Sequence, residues 1–485
     1  MMSEIIIPEH LASRALRVAI VGAGPAGIYA ADLLNKSQPV ASGELKLHVD
    51  LFDELPTPFG LIRYGVSPDH PRIKGIINAL HKVLNNDWID FYGNVGLGRD
   101  ISLDDLRARY DAVIISTGAQ KDADLNIPGI DFEGSFGGAD FVSWYDAHPD
   151  ADKNWDLSAK EVAVIGNGNV ALDVARILSK HADQLLETEI PEHIYEQLND
   201  SAVTDVHVFG RRGPAQVKFT PLELRELSHS KDVDIVLYPE DFEFDKASDE
   251  AMKTNNQTKT MVSTLTNWLI EQEEREEAPS ASRRLHLHFL QSPVEVLGED
   301  GKVTGLKVER NELDGNGGAR GTGEFVEYPL QAIYRAVGYF GSAVDDIEYD
   351  GAKGVLPNEE GRVLDAAGTH VPGLYATGWI KRGPIGLIGH TKGDALETIT
   401  HLLEDLTQLA EPESSQQIAE LLESRGVAFS DWDGWKNLDE HEKELGAAAG
   451  TVSTRFGDIT RDRVKVVERD AMMEFSRAKK LAESL

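Results

Sequence analysis

Short apolar runs of strand length alternate with longer stretches in which apolar residues recur every three or four positions. The runs are Arg17–Val21, Leu45–Phe52, Tyr110–Ser116, Glu161–Ile165, Val203–Phe209, Ala332–Val337 and Leu374–Ala376. Most lack the strict alternation of a half-exposed sheet, so they predict strands covered on both faces. Between them the period changes to that of a helix. A helix of small residues is expected from Gly24 to about Leu34, a second over Val170–Leu178, and an acidic third over Met261–Glu277, followed by a loop at Ala278-Pro279-Ser280. Pro71 opens a further helical stretch, with Ile73, Ile76, Ile77, Leu80, Val83 and Leu84 on one stripe and Arg72, Lys74 and Lys82 off it. Lys302–Glu309 and Phe325–Leu330 read as a hairpin across the glycine-rich turn 314–323. The C-terminal stretch reads as mostly helical and polar, with no assignable chemistry. Strand–helix alternation of this kind is the pattern of an α/β protein.

Two of the strand-to-helix turns carry glycines at a spacing with a mechanical meaning. Gly22-Ala23-Gly24-Pro25-Ala26-Gly27 follows the first strand directly. In such a turn the first glycine makes the bend and the second lets a pyrophosphate reach the backbone. The third lets helix and strand close up, and the phosphates meet N–H groups at the helix N-terminus. The next strand ends at Asp53-Glu54, where an acid bonds a ribose hydroxyl pair; the polar insert 35–44 accounts for the longer spacing. Gly166-Asn167-Gly168-Asn169-Val170-Ala171 repeats the arrangement, but its neighbouring strand ends in Gly210-Arg211-Arg212-Gly213, without an acid. Guanidinium groups bind a 2′-phosphate that a carboxylate repels, so the second turn is expected to prefer NADP(H) over NAD(H).

Two nicotinamides in one chain serve no chemistry. FAD in the first turn and NADP(H) in the second gives hydride a donor and an acceptor. The runs ending Ser116-Thr117-Gly118-Ala119 and Arg335-Ala336-Val337-Gly338 are then the crossings between domains. The expected architecture is two Rossmann-like dinucleotide-binding domains, with an NADP-binding domain at 119–336 inserted into a discontinuous FAD-binding domain. That domain comprises 1–118 and 337–485, the latter with a helical C-terminal extension. A third glycine-rich turn, Thr377 to Gly389, precedes another helix and carries Trp379 where many two-dinucleotide flavoproteins place an aspartate. Its backbone N–H groups near Gly386, Leu387 and Ile388 are candidates for facing negative charge on the flavin ring.

Composition narrows the electron route. At 485 residues and 41% apolar content the chain can build two or three domain cores. It has no cysteine, which excludes disulfides, Cys-ligated clusters and the dithiol relay of thioredoxin-reductase-like enzymes. Electrons must leave the flavin directly for an external acceptor. The charge, 48 − 82 = −34, repels nucleic acid and anionic membranes at long range. The first residues show no basic, apolar leader, and Val18–Leu34 is too short and glycine-rich for a membrane span, so a cytoplasmic protein is expected.

The segments GAGPAG, DELPTPFGLIRYGVSPDHPRIK, IGNGNVALDVAR, FGRRGPAQVKFTPLELREL and ATGWIKRGPIGLIGH together resemble the adrenodoxin-reductase type of ferredoxin–NADP+ reductase, bacterial members included, from about Arg17 to about Leu403. The resemblance implies non-covalent FAD, NADP(H) and one-electron transfer to a ferredoxin-type iron–sulfur protein. By position, Asp53 falls where the family has a ribose-binding glutamate, with Glu54 available to share the task. Leu61, Trp379 and Gly386 fall at flavin contacts, Arg211 and Arg212 at the 2′-phosphate pair, and Asn169 at the nucleotide loop. His70 and Glu223 fall near flavin and nicotinamide. His70 is either a polar or proton-relaying partner there or a hydrogen-bonded structural histidine. Glu223 is either a cofactor contact or a solvated helix charge. An acidic ferredoxin needs a local basic face on so acidic a protein. Arg63, Arg72, Lys74, Lys82, Lys218 and Arg225 are the candidates, ahead of Lys381 and Arg382. The competing readings are a flavin monooxygenase, which consumes O2 with an organic substrate, and a non-enzymatic NADP(H) sensor, which carries no flavin.

Overall fold

The computed structural model describes residues 5–276, 280–386 and 388–483, with side chains through Arg477 except that of Ile388. Leu387 and residues 277–279, which take in the last residue of the expected acidic helix and two of the expected loop, lie outside it, as does the side chain of Ile388. The chain divides into two compact units. The first contains the chain up to Lys121, Tyr339–Ala448 and the chain from Arg463; the second contains Asp122–Gly338 and Ala449–Asp462.

The first unit is built on a seven-stranded sheet. Five parallel strands lie in the order His370–Ala376, Ala112–Ile115, Ala15–Val21, Lys46–Asp53 and Ile89–Gly93, and two short antiparallel strands, Arg362–Leu364 and Asn358–Glu359, finish one edge. The first strand explains why its run is apolar throughout from Val18 to Val21. Leu16, Val18 and Ile20 face one core with Ile28, Ala31 and Leu34 of the helix Pro25–Asn35. Ala19 and Val21 face the opposite core with Leu103, Leu106, Ile418 and Leu422. A strand buried on both faces has no position to spare for a polar residue.

The second unit has a six-stranded parallel sheet. Its order is Ser135–Gly137, Ala332–Arg335, Glu161–Ile165, Asp205–Phe209, Arg283–His288 and Val233–Leu237. A three-stranded antiparallel sheet, Gln291–Glu299, Lys302–Leu313 and Ala319–Pro329, packs Val296, Val303, Leu306 and Val308 against Ala163, Ile165 and Ile333 of the parallel sheet. The expected hairpin is thus present, with longer strands and a tighter turn.

Three local differences from the expected elements have physical causes. The stripe opened by Pro71 breaks into Pro71–Lys74 and Ile77–Leu84, because three-residue hydrogen bonds carry the chain through Gly75 and Ile76 (Ile76 N–H to Ile73 O, 3.1 Å; Asn78 N–H to Gly75 O, 3.2 Å). The acidic helix starts earlier, at Asn256–Glu273, because the Asn255 side chain caps the N–H groups of Gln257 and Thr258. The C-terminal stretch is not all helix: Thr451–Thr454 and Gly457–Thr460 pair as a hairpin that belongs to the second unit.

Candidate functional site

In the first unit the glycine turn joins Ala15–Val21 to Pro25–Asn35. Gly22 lies at φ +111°, and a Cβ there would overlap the Ser116 carbonyl. A Cβ on Gly27 would overlap the Gly22 carbonyl. Packing therefore dictates both glycines. Gly24 differs: the nearest atom to an added Cβ is the Gly60 Cα at 3.9 Å, so no protein atom requires glycine there. The helix that follows has Pro25 at its first turn, no side-chain cap and no acid in the first turn. An uncapped helix N-terminus behind an open glycine is a cradle for an anion.

Asp53 orders this turn. Its two oxygens accept Ala23 N–H (2.8 Å) and Leu55 N–H (2.9 Å). Burial pushes its carboxyl up to about 7, against the pull of those N–H groups. Glu54, the neighbouring acid, is exposed. Phe59 and Gly60 come back onto the turn, with Phe59 N–H bonded to Ala23 O (2.8 Å) and Gly60 at φ +49° beside Gly24. Leu61, half-buried, starts the next short helix, and His70 is buried at the entry to Pro71–Lys74. The turn at Thr377-Gly378 closes on the same helix end, where a Cβ on Gly378 would meet the Ala26 Cβ at 2.6 Å. Trp379 is half-buried, its ring 6.3 Å from that of Tyr339. Gly386 lies at φ +88°, with an added Cβ 3.0 Å from His390 Nδ1.

Two residues of this site escaped the sequence reading. The Ser116 hydroxyl donates to the Val21 and Gly22 carbonyls (3.0 and 2.8 Å), locking the first glycine. Its place one residue before Thr117-Gly118 was a legible signal. Asp394 accepts from Gly378 N–H (2.5 Å) and Thr377 Oγ1 (3.3 Å) and faces Lys381 Nζ at 3.1 Å. Nothing in its helical stretch marked it.

In the second unit, Gly166 lies at φ +144°, where a Cβ would overlap the Ala336 carbonyl, whereas a Cβ on Gly168 would meet nothing within 4 Å. The helix Asn169–Ser179, which includes Val170, again begins without a side-chain cap or an early acid. Asn167 O accepts Lys218 N–H and Phe219 N–H (3.0 and 3.2 Å), and Asn169 Oδ1 accepts Thr220 N–H (2.9 Å). The turn is thus tied to the start of Pro221–Ser228, whose first turn carries the buried Glu223. Gly210 packs on Asn167, so Arg211 and Arg212 follow directly beside the turn. Arg211 is exposed and Arg212 half-buried, and the Asn311 amide fixes this corner by donating to Arg211 O (2.7 Å). Among the described residues neither guanidinium has a carboxylate partner, in a protein with 82 acids.

The expected basic face is corrected in part. Arg63 is 2% exposed and ion-paired to Glu442, so it is a core residue. Lys74 is half-buried, its ammonium donating to the Ile62 and Arg63 carbonyls (3.2 and 3.5 Å) at the end of a short helix. Lys381 is buried between Asp394 and Glu397, and Arg382 lies 3.6 Å from Asp394. Arg72, Lys82, Lys218 and Arg225 are exposed.

Comparison with known proteins agrees with this geometry. Residues 16–207 match the pyridine nucleotide-disulphide oxidoreductase family model. The chain is 40% identical over 456 residues to the NADPH-ferredoxin reductase FprA of Mycobacterium tuberculosis, covering 91% of this chain and 97% of that one. It is 38% identical over 448 residues to the mitochondrial NADPH:adrenodoxin oxidoreductase of Bos taurus, covering 90% and 88%. The structure of Mycobacterium tuberculosis FprA in complex with NADPH superposes with a TM-score of 0.85 at 38% identity, over 96% of this chain and 100% of the other. The double glycine turns, the arginine pair and near-full-length similarity together place the chain in the adrenodoxin-reductase-type family of NADPH-ferredoxin reductases.

Proposed function

We propose that this protein is an NADPH–ferredoxin reductase that holds FAD in the first unit and NADP(H) in the second and passes electrons to a ferredoxin-type iron–sulfur protein. The observation that carries the reading is the contrast within each turn: packing explains Gly22, Gly27 and Gly166, whereas no protein atom requires glycine at Gly24 or Gly168, each at the start of a helix without a side-chain cap, where a pyrophosphate would approach. The relatives' names supply the acceptor class. The division of the chain supports an FAD-binding domain made from both chain ends around an NADP-binding insertion.

When bound, FAD supplies the step-down chemistry, taking a hydride from NADPH and returning single electrons. The chain's own groups bind and orient. Gly22–Gly27 and the N–H groups at the start of Pro25–Asn35 hold the FAD pyrophosphate. Asp53, already fixed by two N–H groups, turns its remaining lone pairs to the ribose, with Glu54 beside it. Leu61, Trp379 and the Gly386 backbone would line the flavin. Gly166–Val170 hold the NADP pyrophosphate, and Arg211 and Arg212 hold the 2′-phosphate. Buried His70 and Glu223 orient the rings. Hydride transfer needs no side-chain acid or base, so ring positioning is the main catalytic contribution. The reading includes a cytoplasmic location; among the described residues no helix is long and apolar enough to cross a membrane.

Anaerobic stopped-flow mixing tests the proposal. The yellow protein is expected to bleach fast with NADPH, slowly with NADH, and to reoxidise with ferredoxin. Stoichiometric O2 consumption with an organic substrate would instead mark a monooxygenase, and a colourless protein a sensor. The docking face is tested separately. Arg72→Glu with Lys82→Glu is expected to raise KM for ferredoxin several-fold at low salt and leave KM for NADPH unchanged, the difference closing at high salt. An unchanged ferredoxin KM rejects that face.

A further inference from the structure

Three histidines of the second unit lie together on one sheet face, next to the arginine turn, where His288 O accepts Gly210 N–H at 2.9 Å. His207 is the Cα partner of His286 on the adjacent parallel strand, and His288 lies two residues on. Side-chain alternation therefore puts all three on one sheet face, together with Asp205. One ring nitrogen from each lies within 4.8 Å of the others. His207 Nδ1 and His288 Nε2 are 3.0 Å apart, and the His207 ring stacks on His286 at 4.2 Å between centroids. His207 and His288 are buried and His286 half-buried. Asp205 Oδ1 lies 3.0 Å from His286 Nε2, and the Arg284 guanidinium holds that carboxylate at 2.5 and 2.8 Å. Tyr238 Oη lies 2.8 Å from His286 Nδ1.

We propose that His207, His286 and His288 form a three-imidazole site for a divalent first-row transition ion of the zinc class. Neutral imidazole is the form that binds such an ion. The 3.0 Å contact between His207 Nδ1 and His288 Nε2 needs a bare nitrogen on one ring to accept, so that ring is neutral. A carboxylate on one nitrogen of a liganding histidine fixes its tautomer and orientation, which is what Asp205 does for His286. The chain has no cysteine, so imidazole is its best donor for this class of ion. Bonds of about 2.0–2.1 Å in a tetrahedral site place ligand nitrogens roughly 3.3–3.4 Å apart. The His207–His288 pair opens by a few tenths of an ångström, with ring rotation; the proton between them moves to the donor ring's other nitrogen, so both rings stay neutral, and the ion takes its place. Water or the Tyr238 phenol completes the shell.

A second grouping, His48 with Asp50 and Asp90, has an ordinary explanation. The two carboxylates, hydrogen-bonded to the His48 ring, raise it to about 9, so a charged histidine neutralises them without a metal. It serves as the control.

The test uses the flavin-loaded full chain, stripped with chelator, dialysed against Zn2+ and assayed for bound zinc by atomic emission and calorimetry. The expected result is one zinc per chain, with affinity falling about tenfold or more in His286→Gln/His288→Gln and unchanged in His48→Gln. X-ray absorption of the zinc-loaded wild type is expected to show three imidazoles, a readout that does not depend on how the variants fold. Equal zinc content in wild type and double variant, an equal loss in His48→Gln, or fewer than three imidazoles would overturn the proposal.

Discussion

Replacing Glu442 with alanine is expected to destabilise the first unit by about 3–5 kcal/mol, the usual cost of removing one partner of a buried ion pair. Glu442 is 0% exposed. Its carboxylate accepts both terminal nitrogens of Arg63 (3.0 and 2.5 Å) and Val466 N–H (3.0 Å). The Arg63 guanidinium also lies over the Trp435 and Tyr64 rings, at 5.1 and 5.2 Å, and buried Lys465 donates to Arg63 O at 2.6 Å. Removing the carboxylate takes two hydrogen-bonded oxygens away from a buried guanidinium. The converse decides whether the cost is electrostatic. Arg63→Met with Glu442→Leu removes both charges and fills the space, so it is expected to recover most of the lost stability. Urea unfolding of the two single variants and the double variant measures the coupling. Arg63 sits three residues after Gly60, which touches the FAD-candidate turn. The single variants are therefore expected to release FAD at lower urea than the double. Additive losses would show that packing, not charge, dominates this cluster.

The Arg63–Glu442 pair also marks where sequence reading ends. An arginine beside a proline-rich turn in an acidic chain reads as surface charge, because the default for an unpaired guanidinium is solvent. Its Glu442 partner lies 379 positions away, and no local pattern announces it. The hairpin at 451–460 is similar. It lies in a stretch read as mostly helical, and its membership of the second unit depends on long-range contacts such as Lys231 Nζ to Phe456 O. What was legible had a local cause. Strands buried on both faces leave continuous apolar runs, and the glycine turns and arginine pair rest on rules that act within a few residues. The split of the Pro71 stripe falls between these cases: the period was right, but three-residue bonding at Gly75 leaves no signature in hydrophobicity.

Arg211→Gln with Arg212→Gln is expected to lower kcat/KM for NADPH by about 10³-fold and leave NADH nearly unchanged. A charge-assisted contact to phosphate is worth about 2 kcal/mol, so two lost contacts amount to about 4 kcal/mol, or roughly three decades. The effect should lie in binding, raising KM while kcat at saturation is retained, because the 2′-phosphate is remote from the transferred hydride. Each single variant should lose part of the preference, with Arg212, the half-buried member, costing more than exposed Arg211 because solvent screens it less. The pair is poised for this role because no acid among the described residues competes for it, and because Asn311 and the Gly210–Asn167 contact hold its backbone beside the glycine turn. A glutamine pair that keeps the wild-type NADPH-to-NADH ratio would mean that neither guanidinium reads the phosphate, and would shift the specificity to the Lys218–Thr220 segment bonded to the same turn.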